Sequence, residues 1–225
     1  TAILVTAESG APSFNETDLV NIGVELTSTA GAQGAQVAIL QDFLATLSLG
    51  DVARLEDLQA EVDLVDRVLT RAAGDTDIQV TDGEYVDLGI QGATADNLPA
   101  LQKVLSDLGS VDSVSTLADL QTKLNTTVQA FADITAIAGQ GSADSSALTP
   151  TAFTNMGVDA LDDTRLALSL SALKNNSNAT TLNAVQAAVD AINSLLDIAD
   201  TDTGTNNHSC EKAKGHDQLG VHLAC

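Results

Sequence analysis

Three stretches of the chain repeat one helical grammar in the same order, and such a repeat restricts the fold more than any single segment does. Each begins with a short helix that ends in glycine: Asn15 to Val24, Thr81 to Ile90 and Thr149 to Val158. The closing glycines, Gly23, Gly89 and Gly157, are 66 and 68 residues apart. Asn15, Thr81 and Thr149 stand where an N-cap oxygen accepts an orphan backbone N–H. Asp18 and Glu84 follow at N3, and Thr81 with Glu84 spells a capping box. The third copy has Pro150 at the first helical position, where a fixed φ suits helix entry. A glycine followed by an apolar residue suits a left-handed helix closure.

A second helix follows in each copy, with Leu at i, i+4 and i+7: Leu40 to Leu47, Leu101 to Leu108 and Leu166 to Leu173. A third has apolar residues at i, i+3 and i+7 and Gln at i+4: Leu55 to Val62, Leu117 to Leu124 and Leu182 to Val189. Each pattern lines one helix face. The copies differ in their connections, such as the Gly/Ala/Gln-rich Thr29–Gln36, the Gly139–Ser146 joint and the polar Lys174–Asn178 break. These readings predict an all-α fold: a tandem array of three three-helix-bundle-like modules, residues 1–68, 69–138 and 139–200. Residues 201–225 are expected to form a linker, Thr201–Asn207, and a short irregular Cys/His tail.

Composition supports helices packed close together. Aromatics are 2% of residues within a hydrophobic content of 44%, so the core is built of Ala, Leu, Val and Ile. Ala allows close approach and has the highest helix propensity. The formal charge is −22, and residues 1–200 carry all but one unit of it. A surface this negative repels nucleic acid and anionic lipid, so no nucleic-acid partner is expected. No apolar run approaches the ~18 residues of a bilayer span. Thr1–Val5 lacks Met and a basic stretch, so no signal peptide is read there.

The second copy carries a resemblance. Tyr85-Val86-Asp87-Leu88-Gly89-Ile90, Thr94-Ala95-Asp96-Asn97-Leu98 and Leu117-Ala118-Asp119-Leu120-Gln121 resemble the tandem helical repeats of very large surface adhesins of Gram-negative bacteria. They are also similar to the three-helix albumin-binding-type module of bacterial surface proteins. The likeness is best over residues 75–130, weaker over 145–200 and loosest over 10–70, and it does not reach the tail. It implies three-helix modules strung in tandem, exported, acting as stalk or adhesive, with no catalytic residues to carry over.

The chemistry-bearing residues fit no catalytic pattern. There is no Gly-x-Ser-x-Gly, phosphate loop or His-Glu-x-x-His, so no enzyme is expected. Asp75, Asp77, Asp82 and Glu84 cluster between helices and offer oxygens of the kind Ca2+ takes, although the EF-hand spacing fails. Helix N-terminal acids complementing the macrodipole are the alternative. In the tail, Cys210-x5-His216-x5-His222-x2-Cys225 reads three ways: a Cys210–Cys225 disulfide, a transition-metal site formed by Cys210, His216, His222 and Cys225, or disulfides between subunits. The functional expectation is an extracellular or cell-surface structural protein, an adhesin segment or the subunit of a filament or matrix, with itself or a surface or host ligand as partner. A module that binds a host protein or glycan, and a metal-binding protein through the tail, are the alternatives.

Overall fold

The computed structural model of the chain describes residues 14–26, 33–48 and 50–214, with side chains as far as residue 198. It is all-helical among those residues. α1 is Glu16–Asn21, α2 Gln33–Leu44, α3 Leu55–Ala72, α4 Asp82–Asp87 and α5 Leu98–Ser106. After a 3-10 turn at Val111–Ser113 come α6 Leu117–Ala136, α7 Pro150–Met156, α8 Asp163–Lys174 and α9 Leu182–Lys214. In chain order the nine helices among the described residues run three times as a short helix followed by two longer ones, here called a triple.

The short helices start and stop as their sequences dictate. Asn15 Oδ1 accepts from the Asp18 N–H at 3.2 Å, and the Asp18 carboxylate accepts from the Asn15 N–H at 2.9 Å. Thr81 and Glu84 make the same reciprocal pair at 3.2 and 2.8 Å. Thr149 makes no side-chain cap bond, and Pro150 occupies the first turn instead. At the other end Gly23, Gly89 and Gly157 have φ of 92°, 83° and 89°. Their N–H groups donate to Val20, Val86 and Thr154 O at 3.0, 2.9 and 3.0 Å. The next residue donates back across the turn: Val24 to Leu19 O, Ile90 to Tyr85 O and Val158 to Phe153 O, at 3.1, 2.9 and 2.9 Å. This double bond pattern closes a helix on a left-handed residue. It also turns Val24, Ile90 and Val158 inward, where all three are buried.

Within each triple the two longer helices pack together: α2 on α3, α5 on α6, α8 on α9. Packing then crosses between triples, with α3 on α5, α2 on α6, and α7 on both α6 and α5. The apolar interior follows this pattern. One cluster runs from Phe14 to Leu124 and takes in the first two triples. A second runs from Ala100 to Val189, where Ala130, Phe131 and Ile134 of α6 share a core with Phe153 and Met156 of α7. The second half of α3 and of α6 is thus a seat for the triple that follows.

Two segments differ locally from the sequence expectation. α9 runs on as helix through Thr201–Asn207 to Lys214. A helix already nucleated over Leu182–Asp200 adds residues one bond at a time, and this stretch holds Gly204 but no Pro to stop it. The Gly/Ala/Gln-rich segment before the second helix is also helical from Gln33, seven residues ahead of the expected Leu40. Its Ala and Gln residues favour helix despite the lack of a leucine stripe.

Substitution at the closing glycines should separate backbone strain from crowding. A Cβ at Gly23 would meet Leu55 Cδ2 at 3.7 Å, an ordinary contact, whereas at Gly89 it would lie 2.6 Å from Gln121 Nε2. Gly23→Ala is expected to cost about 1–2 kcal/mol for the left-handed conformation alone. Gly89→Ala should cost clearly more, because the Gln121 amide must also move. Urea unfolding of the two variants checks the order.

Candidate functional site

The glutamine at the fifth position of each third helix has a definite task. Gln59 Oε1 accepts from the Glu25 N–H at 2.9 Å and its Nε2 donates to Glu25 O at 3.0 Å. Gln186 does the same with Asp159, at 2.8 and 3.3 Å. Glu25 and Asp159 each stand two residues after the closing glycine, where the chain leaves the short helix and has no helical partner. One side-chain amide therefore satisfies both backbone groups of a residue about thirty positions away, as an unpaired N–H and C=O would otherwise require. One turn further along the helix, Asp63 and Asp190 accept from the same Nε2 at 2.8 and 2.9 Å and fix the amide's orientation.

The middle triple divides this work between two residues. Gln121 Nε2 donates to Leu88 O at 2.8 Å, and Asn125, one turn on, accepts from the Gln91 N–H through Oδ1 at 2.8 Å. Asn is the residue that stands where the other two triples have Asp. The clasp is a polar seam that recurs three times on the same helix register, and its sequence signal is Gln with Asp or Asn four residues later.

The junctions between triples carry the basic residues. Arg71 is buried in an otherwise acidic chain and donates only to carbonyls: Thr76 O at 3.1 Å, Ile78 O at 2.5 Å and Gln102 O at 2.9 Å. Arg67 of α3 pairs with Glu84 of α4. Lys103 of α5 bridges Asp107 at 2.7 Å and Asp159 beyond α7 at 3.1 Å. Between α5, α6 and α7 an open groove of about 340 Å³ is lined by Val104, Asp107, Lys123, Thr127, Asn155 and Asp159.

Two carboxylates at the first junction are displaced in opposite directions. Burial pushes Glu84 up, but hydrogen bonds from the Thr81 backbone and hydroxyl and the Arg67 guanidinium outweigh it and leave the group below its usual range. Glu61 is raised by burial and by the negative field of Asp87, Asp51 and Asp57.

The sequence-derived sites fare differently. Gly23, Gly89 and Gly157 hold the left-handed closures expected of them. Among the described residues no group of three His, Cys, Asp or Glu side chains is placed to hold a metal. Asp75 turns onto its own loop and accepts from the Asp77 N–H at 2.9 Å. Asp82 lies in the first turn of α4, and Glu84 is committed to Thr81 and Arg67. Of these acids, Glu84 makes the helix-capping bond. For the proposed disulfide and transition-metal sets, Cys210 falls in the backbone of α9. Its side chain and all of His216, His222 and Cys225 lie outside the described residues. No described helix is long and apolar enough to cross a membrane.

Compared with protein-family models, curated proteins and solved structures, the chain matches none.

The clasp and the two displaced carboxylates make separable predictions. Replacing Gln186 by Leu removes the side-chain partner of the exposed Asp159 backbone groups and should cost about 0.5–1.5 kcal/mol in unfolding free energy. Glu84→Gln should destabilise by up to about 1 kcal/mol at neutral pH. A lowered carboxylate contributes stability above its unfolded value and loses it as pH falls through the folded one, so the gap to the parent should close on acidification. Glu61→Gln should raise the thermal midpoint at neutral pH. A raised carboxylate disfavours folding only when ionised, so that advantage should also vanish once the pH drops below the usual value of 4.5. Thermal unfolding from pH 7 downward reads both.

Proposed function

We propose that the chain is a structural repeat scaffold, a tandem of three three-helix modules that forms part of an adhesin stalk or of an extracellular filament or matrix at a bacterial surface. The observation that carries this reading is the threefold clasp, in which Gln59, Gln121 with Asn125, and Gln186 each hold the exit of a glycine-closed short helix. In each triple the same polar device spans the short helix and the third helix, and this supports taking the triple as the unit of repetition. Apolar clusters that pass from one triple to the next support an array in which neighbours stabilise one another, the usual energetics of repeat proteins.

The charge of −22 fits a protein that remains dispersed while presenting long surfaces. Among the described residues Arg54, Arg67, Lys103 and Arg165 form ion pairs and Arg71 donates to carbonyls, all structural contacts. The scaffold reading therefore assigns no catalytic residue and places recognition, where it occurs, on outer helix faces.

Antibody raised against the purified chain should label intact, unpermeabilised cells of the source organism, and mild protease treatment of those cells should remove the signal. Labelling that requires lysis would contradict the surface assignment.

A further inference from the structure

The large apolar side chains that remain exposed are not scattered. Among the described residues they are Val20, Ile22 and Leu55 in the first triple, Leu168, Leu195 and Ile198 in the third, and Val86 alone in the second. The repeat register shows what each position does elsewhere in the chain. Ile22, one residue before the closing glycine, is 37% exposed, but its counterparts Leu88 and Met156 are 1% and 0%. Leu55, which opens the third helix, is 48% exposed, against 4% for Leu117 and 5% for Leu182. Leu195, nine residues past the clasp glutamine, is 59% exposed, against 1% for Val68 and 6% for Ala130.

Position 22 and its equivalents are thus covered except at the front of the array, and position 195 and its equivalents except at the rear. The second internal junction joins these two positions: Met156 and Ala130 lie in one core cluster, with α7 seated on α6. The rear face differs from its internal counterparts in one respect. Lys103, which reaches across that junction to Asp159 at 3.1 Å, is replaced in the third triple by Leu168, 44% exposed. Arg165, one turn before Leu168, reaches Asp197 at 3.6 Å, so the start of α8 lies beside this half of α9. Val86 marks a position outside the junction, since its counterparts Val20 and Thr154 are exposed as well.

We propose that two copies of this chain associate head to tail: the α1 face of one copy, with Ile22 and Leu55, docks on the Leu168 and Leu195 face of α8 and α9 of another, repeating the α6–α7 junction. The proposal rests on the scaffold reading and names its partner. A front and a rear that differ make a heterologous contact, which extends into a chain of copies instead of closing as a dimer. The contact gains from apolar burial and is opposed by repulsion between molecules of charge −22. Added salt should therefore strengthen it, the reverse of an interface built on ion pairs.

Sedimentation equilibrium of the full chain in reductant, with Cys210 and Cys225 kept free of covalent links, tests this. The mean mass should rise with concentration past that of a dimer, and rise further between low salt and about 1 M. Ile22→Asp and Leu195→Asp should each weaken association by tenfold or more, since a charge replaces a buried apolar contact. Both sites are exposed, so circular dichroism should be unchanged, and Val86→Asp should associate like the parent. Mixed in equal amounts, the Ile22→Asp and Leu195→Asp chains should form dimers and nothing larger, because each retains one intact face. A parent that stays monomeric throughout overturns the proposal, as does loss of association in Leu195→Asp with none in Ile22→Asp, which marks a tail-to-tail pair. Failure of surface labelling alongside concentration-dependent mass would remove the surface reading and leave the association standing. The opposite pair of results would remove only the association.

Discussion

The structure depends on a reversal of the backbone at three glycines. Each short helix ends on a left-handed residue, and the next apolar side chain is thereby driven inward. The reversal leaves the N–H and C=O of Glu25 and Asp159 outside any helix, where Gln59 and Gln186 take them up, and in the middle triple Asn125 accepts from the Gln91 N–H while Gln121 donates to Leu88 O, just before the glycine. The glycine turn and the amide clasp are coupled: at Gly89 the Gln121 amide lies so close that the site has no room for a Cβ. With the exit held, the short helix lies where a large core residue, Leu19, Tyr85 or Phe153, is fully buried.

A chain poor in aromatics must make its core by accumulation of small and medium side chains. It does so by using both halves of α3 and α6, the first half packing within its own triple and the second half becoming part of the next. This sharing explains why the junctions hold Arg67, Arg71 and Lys103. A helix half that meets a neighbouring triple brings carbonyls and carboxylates together in an acidic molecule, and basic side chains satisfy them. It also explains why apolar residues surface at the two ends of the described helices, where the same helix positions meet no further triple among the described residues.

Much of this was legible in the sequence because it is local. A cap and its N3 acid are three residues apart, and Gly followed by a buried aliphatic residue is a two-residue signal, so Asn15, Thr81, Pro150 and the three glycines could be placed without tertiary knowledge. The helix stripes were legible for the same reason. What the sequence hid was pairing at a distance. The glutamine was visible as a recurring letter, but its partner lies 34 residues away at Glu25 and 27 at Asp159. Nothing in a periodic stripe says that α6 serves two neighbours, so a division into separate bundles was the natural expectation, while the core pools residues from adjacent triples. The acids at 75–84 are ambiguous in the sequence for an electrostatic reason: capping and cation binding draw on the same residue types, and here capping and Arg67 use Glu84 while Asp75 closes its own loop.

The clasp is most directly tested by backbone amide exchange at Glu25, Gln91 and Asp159. All three residues are exposed and lie outside helices, so without the clasp their amides would exchange at close to the rate of an unfolded chain. The account predicts protection at all three of about a hundredfold or more, falling in step with the stability of α3, α6 and α9. Exchange at unprotected rates at these positions, in a chain whose third helices are themselves protected, would contradict it.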